Sequence, residues 1–503
     1  MFSPEQRSQN FDVVRIESRF LLEAKWYPVA TMLGQSIGSV FVGLECFARS
    51  LTGDAPFPDI FCDTTGAAFT YVAAKLLFNC AVIPYVHYPT ISADMLAQVR
   101  EMRPTYNNNE AISGSATASG IKLWYYKLFA FAYSLVLGTM SDVLIANGSW
   151  TEGHLRQLLV GDTDTDTDSQ ATEDEGEKKP GGGLRFTQGD KIRRVFPPCN
   201  TETMLREKDL HPTAETRTEP DYVVVSGPSG APVGQRQCVL LSIGQFRPEK
   251  DHLLQIQSFH HLLLTHPHLR AVPDLRLVLI GSARNAGDGA IVKLCRDEIE
   301  RLSVSRDVSE ADRESIAFAD RVELRVNVPY EEIVQYVHRI ASVGLHTMWN
   351  EHFGISVVEM QAAGLLTIAH ASGGPKMDIV TSPIYAADTV PGSDGRSLVG
   401  DTCNGFLAAS KEEYATCMAA AVTLTLRHQG RKGAKLNPDV CKNVTYTQML
   451  ENAAASVNSR FSDETFRQEM CDIFAPFVTA PAPTAPPTNI TDTNTERPMA
   501  STE

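Results

Sequence analysis

The stretch Asn350-Glu-His-Phe-Gly-Ile-Ser-Val-Val-Glu359, followed by Met360-Gln-Ala-Ala-Gly364 and then Ser372-Gly-Gly-Pro375, decides how this chain is read. Two carboxylates flank an aromatic-Gly turn that should open a helix. The apolar run Leu365 to Ala369 reads as a short strand entering a second glycine-rich turn. Backbone N–H groups at a helix start and at a Gly-Gly turn form a cradle for a diphosphate. Glu351 falls just outside the predicted helix, and Glu359 lies about 7 Å further along it than Gly354. One carboxylate then reaches a sugar beyond the phosphates while the other reaches a ribose, which is the layout of a sugar-nucleotide site. The plainer alternative is an ordinary strand–helix–strand unit whose Val357, Val358, Met360 and Ala363 merely face a sheet.

Working outward, 503 residues suffice for two packed domains with extensions. A net charge of −15 leaves no basic stripe to displace counterions, so nucleic acid is not expected as a partner. The ten cysteines are scattered without paired spacing, which suits reduced thiols facing a cytosol. Met1-Phe-Ser-Pro-Glu-Gln-Arg lacks the pattern of a signal peptide. Two apolar segments approach membrane length, Val29 to Ala48 (broken by Gln35 and Glu45) and Leu123 to Leu137 (carrying Lys127). Both are expected to be buried domain helices; the second, with Trp124, Tyr125, Tyr126 and Phe129, also suits a membrane interface.

From Phe11 to Pro198 strands and helices alternate, with strands at Pro58 to Asp63, Ala81 to Val86 and Asp142 to Ala146, and Thr151 as the N-cap of the next helix. This gives an N-terminal domain over 1–198, with 162–183 an acidic insertion expected to be disordered. Residues 199–237 read as linker around one strand, Tyr222 to Val225. The second domain, 238–475, has strands at Val239 to Ile243 and Leu275 to Ile280, then Val322-Glu-Leu, a helix over Glu331 to Ile340, and Ala341 to Leu345 leading into the signature. Residues 476–503 form a Pro/Thr-rich tail expected to be disordered. Such alternation implies an α/β fold with parallel sheets covered on both faces, whose ligands collect at the carboxyl ends of the strands. Gly244, Gly281, Glu351 and Gly373 all fall there.

Gly244-Gln-Phe-Arg247-Pro-Glu-Lys250 closes the first strand of the second domain. A sugar nucleotide leaves a diphosphate behind, so fixed cations there stabilise the departing charge. Arg247 suits bidentate phosphate contact and Lys250 a point charge, the alternative being two surface cations in the loop before a helix. His87, in Tyr85-Val-His-Tyr-Pro89, ends a strand of the first domain. A histidine there can hydrogen-bond a sugar hydroxyl, or serve as a core or capping residue. His260, His261, His266 and His268 are read as an exposed helix end rather than a metal site. Asn147, Asn443 and Asn489 match glycosylation acceptors without meaning in a cytosolic chain.

The order Glu-x-Phe-Gly-Ile-x-x-x-Glu, then Ala-Ala-Gly and Gly-Gly, resembles the donor-site signature of the retaining family 4 glycosyltransferases. Ser18 to Ala24, Pro58 to Asp63, Tyr85 to Met95, Gly244 to His252 and Ala369 to Val380 are similar to the N-glycan-pathway mannosyltransferases within that family. The likeness runs from about Phe11 to Phe474, outside 162–183 and 200–237. It implies the GT-B architecture, two Rossmann-like doubly wound domains facing across a cleft, the N-terminal one on the acceptor side. It also implies mannosyl transfer from GDP-mannose to a dolichyl-diphosphate oligosaccharide at the cytosolic face of the endoplasmic reticulum membrane. Other early mannosyltransferases of that pathway are the protein partners it suggests.

The resemblance assigns catalysis to Glu351 and His87, and donor binding to Arg247, Lys250, Phe353, Gly354, Ile355, Glu359, Gly373 and Gly374. It calls for no metal and no cofactor. Asp162-Thr-Asp164-Thr-Asp166 forms an Asp-x-Asp pattern, but in a repetitive run with no strand to fix it. The family places Arg directly after the glycine where this chain has Gln245, so the role passes to Arg247. Family members also carry an anchoring segment, a first strand and a glycine-rich loop before the point where this chain starts. The N-terminal domain is therefore expected to lack its first strand or strands. Rival readings are a transferase of the same architecture with another lipid acceptor, and a non-catalytic binding partner of membrane glycosyltransferases.

Overall fold

The computed structural model describes residues 15–27, 30–53, 57–91, 116–160, 185–202 with 204, 236–305, 308–386, 402–431 and 445–478, of which 116–122 in backbone only. The acidic insertion 162–183, the strand expected at Tyr222–Val225, Asn443, Asn489 and the tail beyond 478 lie outside the described residues.

The N-terminal part begins with α1 (Thr31–Leu51), then β1 (Ile60–Phe61), α2 (Tyr71–Leu76) and β2 (Ala81–Val82), the two strands pairing in parallel. β3 (Tyr85–Val86), β4 (Leu144–Ala146) and β5 (Ile192–Arg194) form a second parallel sheet, with α3 (Ala116–Met140) and α4 (Ser149–Leu159) on the connections. Successive side chains of a strand point to opposite faces, so strands covered on both sides read as unbroken apolar runs. Val86, Leu144, Ala146 and Ile192 enter one core layer, while Tyr85 and Ile145 enter the other.

The C-terminal part is one seven-stranded parallel sheet. Its first strands are β6 (Val239–Ile243), β7 (Arg276–Gly281) and β8 (Val322–Val326), with α5 (His252–Thr265), α6 (Ala286–Ser303) and α7 (Glu310–Ile316) between them. Next come α8 (Tyr330–Gln335), ending in a π-helical turn to Ile340, β9 (Val343–His346), α9 (Ile355–Ala362) and β10 (Leu366–His370). β11 (Ile384–Tyr385) and β12 (Phe406–Ala408) complete the sheet, followed by α10 (Lys411–His428), α11 (Tyr446–Arg460) and α12 (Asp463–Phe474). Leu240, Leu277 and Leu279 fill one layer; Val239, Leu241, Val278 and Ile280 fill the other.

Four expectations change. The linker expected from 199 starts inside a core, because Cys199 and Met204 are buried with Val239 and Phe353. The end of the expected second domain leaves its own sheet: Phe466, Met470, Ile473 and Phe474 of α12 pack on Ile83, Tyr85 and Ile145 of the N-terminal sheet. His260, expected on an exposed helix end, is buried edge-on against Phe318. The two apolar helices are only half covered: Phe47 of α1 and Phe129, Tyr133 and Leu137 of α3 join the N-terminal core, while their other sides are bare. The most apolar window of α1 is only 22% buried and is long and apolar enough to cross a membrane. Leu33, Ile37, Phe41 and Leu44 of α1 are exposed, as are Trp124, Leu128, Phe131 and Leu135 of α3. The two helices are neighbours, with the Leu33 amide donating to the Tyr125 hydroxyl at 3.1 Å. Glu45, which interrupts the apolar run in sequence, turns inward to accept from the amides of Glu17 and Ser18 at the start of the turn Glu17–Leu22.

Candidate active site

The strand order β11-β12-β10-β9-β6-β7-β8 has its switch between β6 and β9, where successive connections depart to opposite sides. A crevice opens outside the carboxyl ends of strands at such a point. The loop after β6 carries Arg247 and Lys250; the loop after β9 carries Glu351. Gly281 is required where the loop after β6 passes over β7, because a Cβ there would lie 1.9 Å from the Gly244 carbonyl oxygen. The Thr347 hydroxyl donates to the Lys250 carbonyl at 2.8 Å and accepts from Gln255 Nε2 at 2.6 Å, tying the two loops together.

Lys250 Nζ meets Glu351 Oε2 at 2.8 Å, and His346 Nε2 meets the same oxygen at 3.2 Å. Burial works against charge on Glu351, but the His346 contact and the Lys250 cation outweigh it and hold the carboxyl at about 2. Arg247 lies elsewhere, exposed and 3.9 Å from Glu249. The structure therefore brings Lys250, and not Arg247, onto the Glu351 carboxylate.

Asn350 takes a left-handed backbone, φ 50°, and its N–H donates to Ser372 Oγ at 2.8 Å. Gly354, φ 113°, starts α9 and leaves Ile355 exposed at the helix tip. Glu359, one turn and a half along α9, is half-buried, which raises its carboxyl. Its carboxylate makes no hydrogen bond or ion pair among the described residues.

Two expected donor contacts are corrected. The Gly374 N–H donates to the Glu351 carbonyl at 2.7 Å, so this amide braces the turn that carries Glu351 instead of facing a diphosphate. A Cβ at Gly373 would lie 2.3 Å from the Glu351 carbonyl oxygen, and one at Gly374 would lie 2.3 Å from that of Phe353. The pair is glycine because two backbones touch. Phe353 is buried against Phe196 and Phe461, which makes it a packing residue under the turn.

From the other side of the cleft, His87 lies exposed at the end of β3, beside Tyr85. Protein around the ring holds its pKa below the ordinary histidine value. His352, next to Glu351, stacks on Tyr88 at 4.4 Å and on Trp150 at 4.8 Å, so aromatic rings from both parts meet beside the carboxylate. Asp378, in the π-helical turn Pro375–Ile379, accepts from the Ser149 N–H at 2.8 Å and from its hydroxyl. Thr151, expected as the N-cap of α4, lies inside the helix; its hydroxyl bonds Asn147 and the His87 carbonyl. His346, His352, Thr347, Ser372 and Asp378 were not singled out in the sequence. His352, Ser372 and Asp378 lie inside quoted motifs and so carried a local signal; His346 and Thr347 carried none.

The first 159 residues match a family model described as ALG11 mannosyltransferase N-terminus, and residues 231–382 match one described as Glycosyl transferases group 1. The chain is 36% identical over 453 residues to the human GDP-Man:Man(3)GlcNAc(2)-PP-Dol alpha-1,2-mannosyltransferase, covering 90% of this chain and 71% of that protein. The protein of the same name from Dictyostelium discoideum is 33% identical, covering 82% and 65%. Among solved structures, a UDP-forming α,α-trehalose-phosphate synthase from Burkholderia xenovorans aligns with a TM-score of 0.54 at 12% identity, covering 90% of this chain and 81% of that one. The corresponding enzyme from Burkholderia multivorans gives 0.53 at 11%, covering 90% and 77%. The structural likeness establishes the fold, which is GT-B.

Proposed function

We infer the reaction from one premise: the chain belongs to the family of GDP-Man:Man(3)GlcNAc(2)-PP-Dol α-1,2-mannosyltransferases. It transfers mannose from GDP-mannose to Man3GlcNAc2 carried on dolichyl diphosphate, adding the fourth and fifth mannoses with retention of configuration. The observation that carries this at the site is the convergence of Lys250 and His346 on Glu351 at the sheet's switch point.

In this reading the ionised Glu351 orients the mannose, and Lys250 with Arg247 meets the charge developing on the departing GDP in place of a metal. Glu359, half-buried with its oxygens uncommitted among the described residues, accepts from the ribose hydroxyls. His87 faces the sugar from the acceptor side. The reading extends to location: the exposed apolar faces of α1 and α3 support docking on the cytosolic surface of the endoplasmic reticulum membrane.

The test is transfer from GDP-mannose to lipid-diphosphate-linked Man3GlcNAc2. Products longer by one and two mannoses, both trimmed by an α-1,2-mannosidase, are expected. Retained GDP binding without any product would overturn the assignment.

A further inference from the structure

Between α1 and the carboxyl ends of β1 and β3 lies a cavity of about 230 Å³. Its polar wall is built from Gln35, Ser36 and Ser39 of α1, Thr65 and Thr90 of the loops after β1 and β3, and Tyr133 of α3. The mechanism above uses none of them.

The hydrogen bonds within this wall decide what it can bind. Ser36 Oγ donates to the Met32 carbonyl and Ser39 Oγ to the Ser36 carbonyl, each at 2.7 Å. Thr65 Oγ1 donates to Asp63 at 2.6 Å, and Thr90 Oγ1 to the Gly66 carbonyl at 3.3 Å. Gln35 Nε2 donates to the Leu22 carbonyl at 2.7 Å. Each of these side chains thus directs a donor hydrogen into the protein and keeps oxygen lone pairs for a guest, Gln35 also retaining a second amide hydrogen. The Tyr133 hydroxyl accepts from the Thr90 N–H at 3.5 Å and also bonds the Thr90 side chain, which fixes Thr90 in the wall. No lining residue is cationic. An anionic phosphate needs donors and finds few here, whereas an uncharged ligand rich in hydroxyl or amide donors finds a matched set. Met32 and Phe69 add apolar surface of the kind that covers the C–H face of a pyranose.

Position narrows the ligand further. Thr90 stands three residues after His87 on one loop, and α1, whose inner side walls the cavity, turns Ile37 and Phe41 outward. The cavity therefore lies between the transfer site and the apolar face. We propose that it is a subsite for an uncharged inner sugar of the acceptor glycan, gripping the oligosaccharide behind the hydroxyl that is mannosylated. The proposal rests on the reaction inferred above and assigns its acceptor specificity to residues outside the donor site.

Two variants test it. Ser36→Leu fills the cavity, and Tyr133→Phe removes the hydroxyl that holds Thr90 in its wall with little change in volume. With lipid-linked Man3GlcNAc2, Ser36→Leu should raise the acceptor KM by at least about tenfold. Tyr133→Phe should raise it roughly three- to tenfold. GDP affinity and melting curves should match wild type in both. Acceptor KM values at wild-type level in two well-folded variants would overturn the subsite. Binding of free Man3GlcNAc2 glycan, followed by saturation-transfer NMR, separates this from the reaction itself. Glycan bound by wild type and lost in Ser36→Leu supports the subsite even if no mannose is transferred. Glycan bound equally by both removes it even if transfer is seen.

Discussion

At the scale of the residue, the charge state of Glu351 is set by two neighbours rather than by its own burial. The Lys250 ammonium at 2.8 Å and the His346 ring at 3.2 Å more than offset the loss of solvent. With its pKa depressed to about 2, the charged form is fully present above the ordinary carboxyl value of 4.5 and is lost only as pH falls through about 2. An acid limb in the pH–rate profile above pH 4 should therefore originate elsewhere. Carboxyl-carbon NMR that shows Glu351 titrating near 4.5 would contradict this. Glu351→Gln keeps the shape of the side chain but removes the charge, and should lower kcat by at least about 100-fold. GDP should still bind within about threefold. A variant that retains wild-type turnover would remove Glu351 from the mechanism.

At the scale of the element, the turn after β10 acts on both halves of the molecule. Its glycines lie against the backbone of Glu351 and Phe353, and Asp378 a few residues later caps α4 from across the cleft. α4 follows Gly148, which offers no capping side chain, so the carboxylate that satisfies the Ser149 amide comes from 229 residues away. Asp378→Ala should lower the unfolding free energy by about 1–2 kcal/mol, as loss of a cap does. It should also raise the acceptor KM, because the two walls of the cleft lose their tie. Urea denaturation with acceptor titration checks both. Wild-type values in each would show that the contact is incidental.

At the scale of the whole molecule, α1 and α3 turn adjacent apolar faces outward. Burying one such side chain is worth about 1.5–3 kcal/mol. The double substitution Ile37→Asp with Phe41→Asp should therefore cut vesicle binding by more than about tenfold in flotation with phosphatidylcholine vesicles. Transfer to a soluble, short-chain acceptor should be unaffected. Undiminished flotation would show that another surface docks.

Much of this architecture was legible in the order of residues. Short apolar runs, two of them ending at Gly244 and Gly281, marked the strands, and their alternation with helices implied parallel sheets, because those patterns are local. The turns that carry Lys250 and Glu351 and the helix that carries Glu359 were legible for the same reason: each is contiguous in the chain. What folding alone decided is which groups meet across it. The β6–β9 switch brings Lys250 and His346 to one oxygen of Glu351; Asp378 caps a distant helix; α12 returns to the N-terminal sheet. Hydrophobic pattern also told that α1 and α3 are apolar, but not which way they face. That depends on how much neighbouring surface the fold offers them, and here it covers one side of each and leaves the other bare.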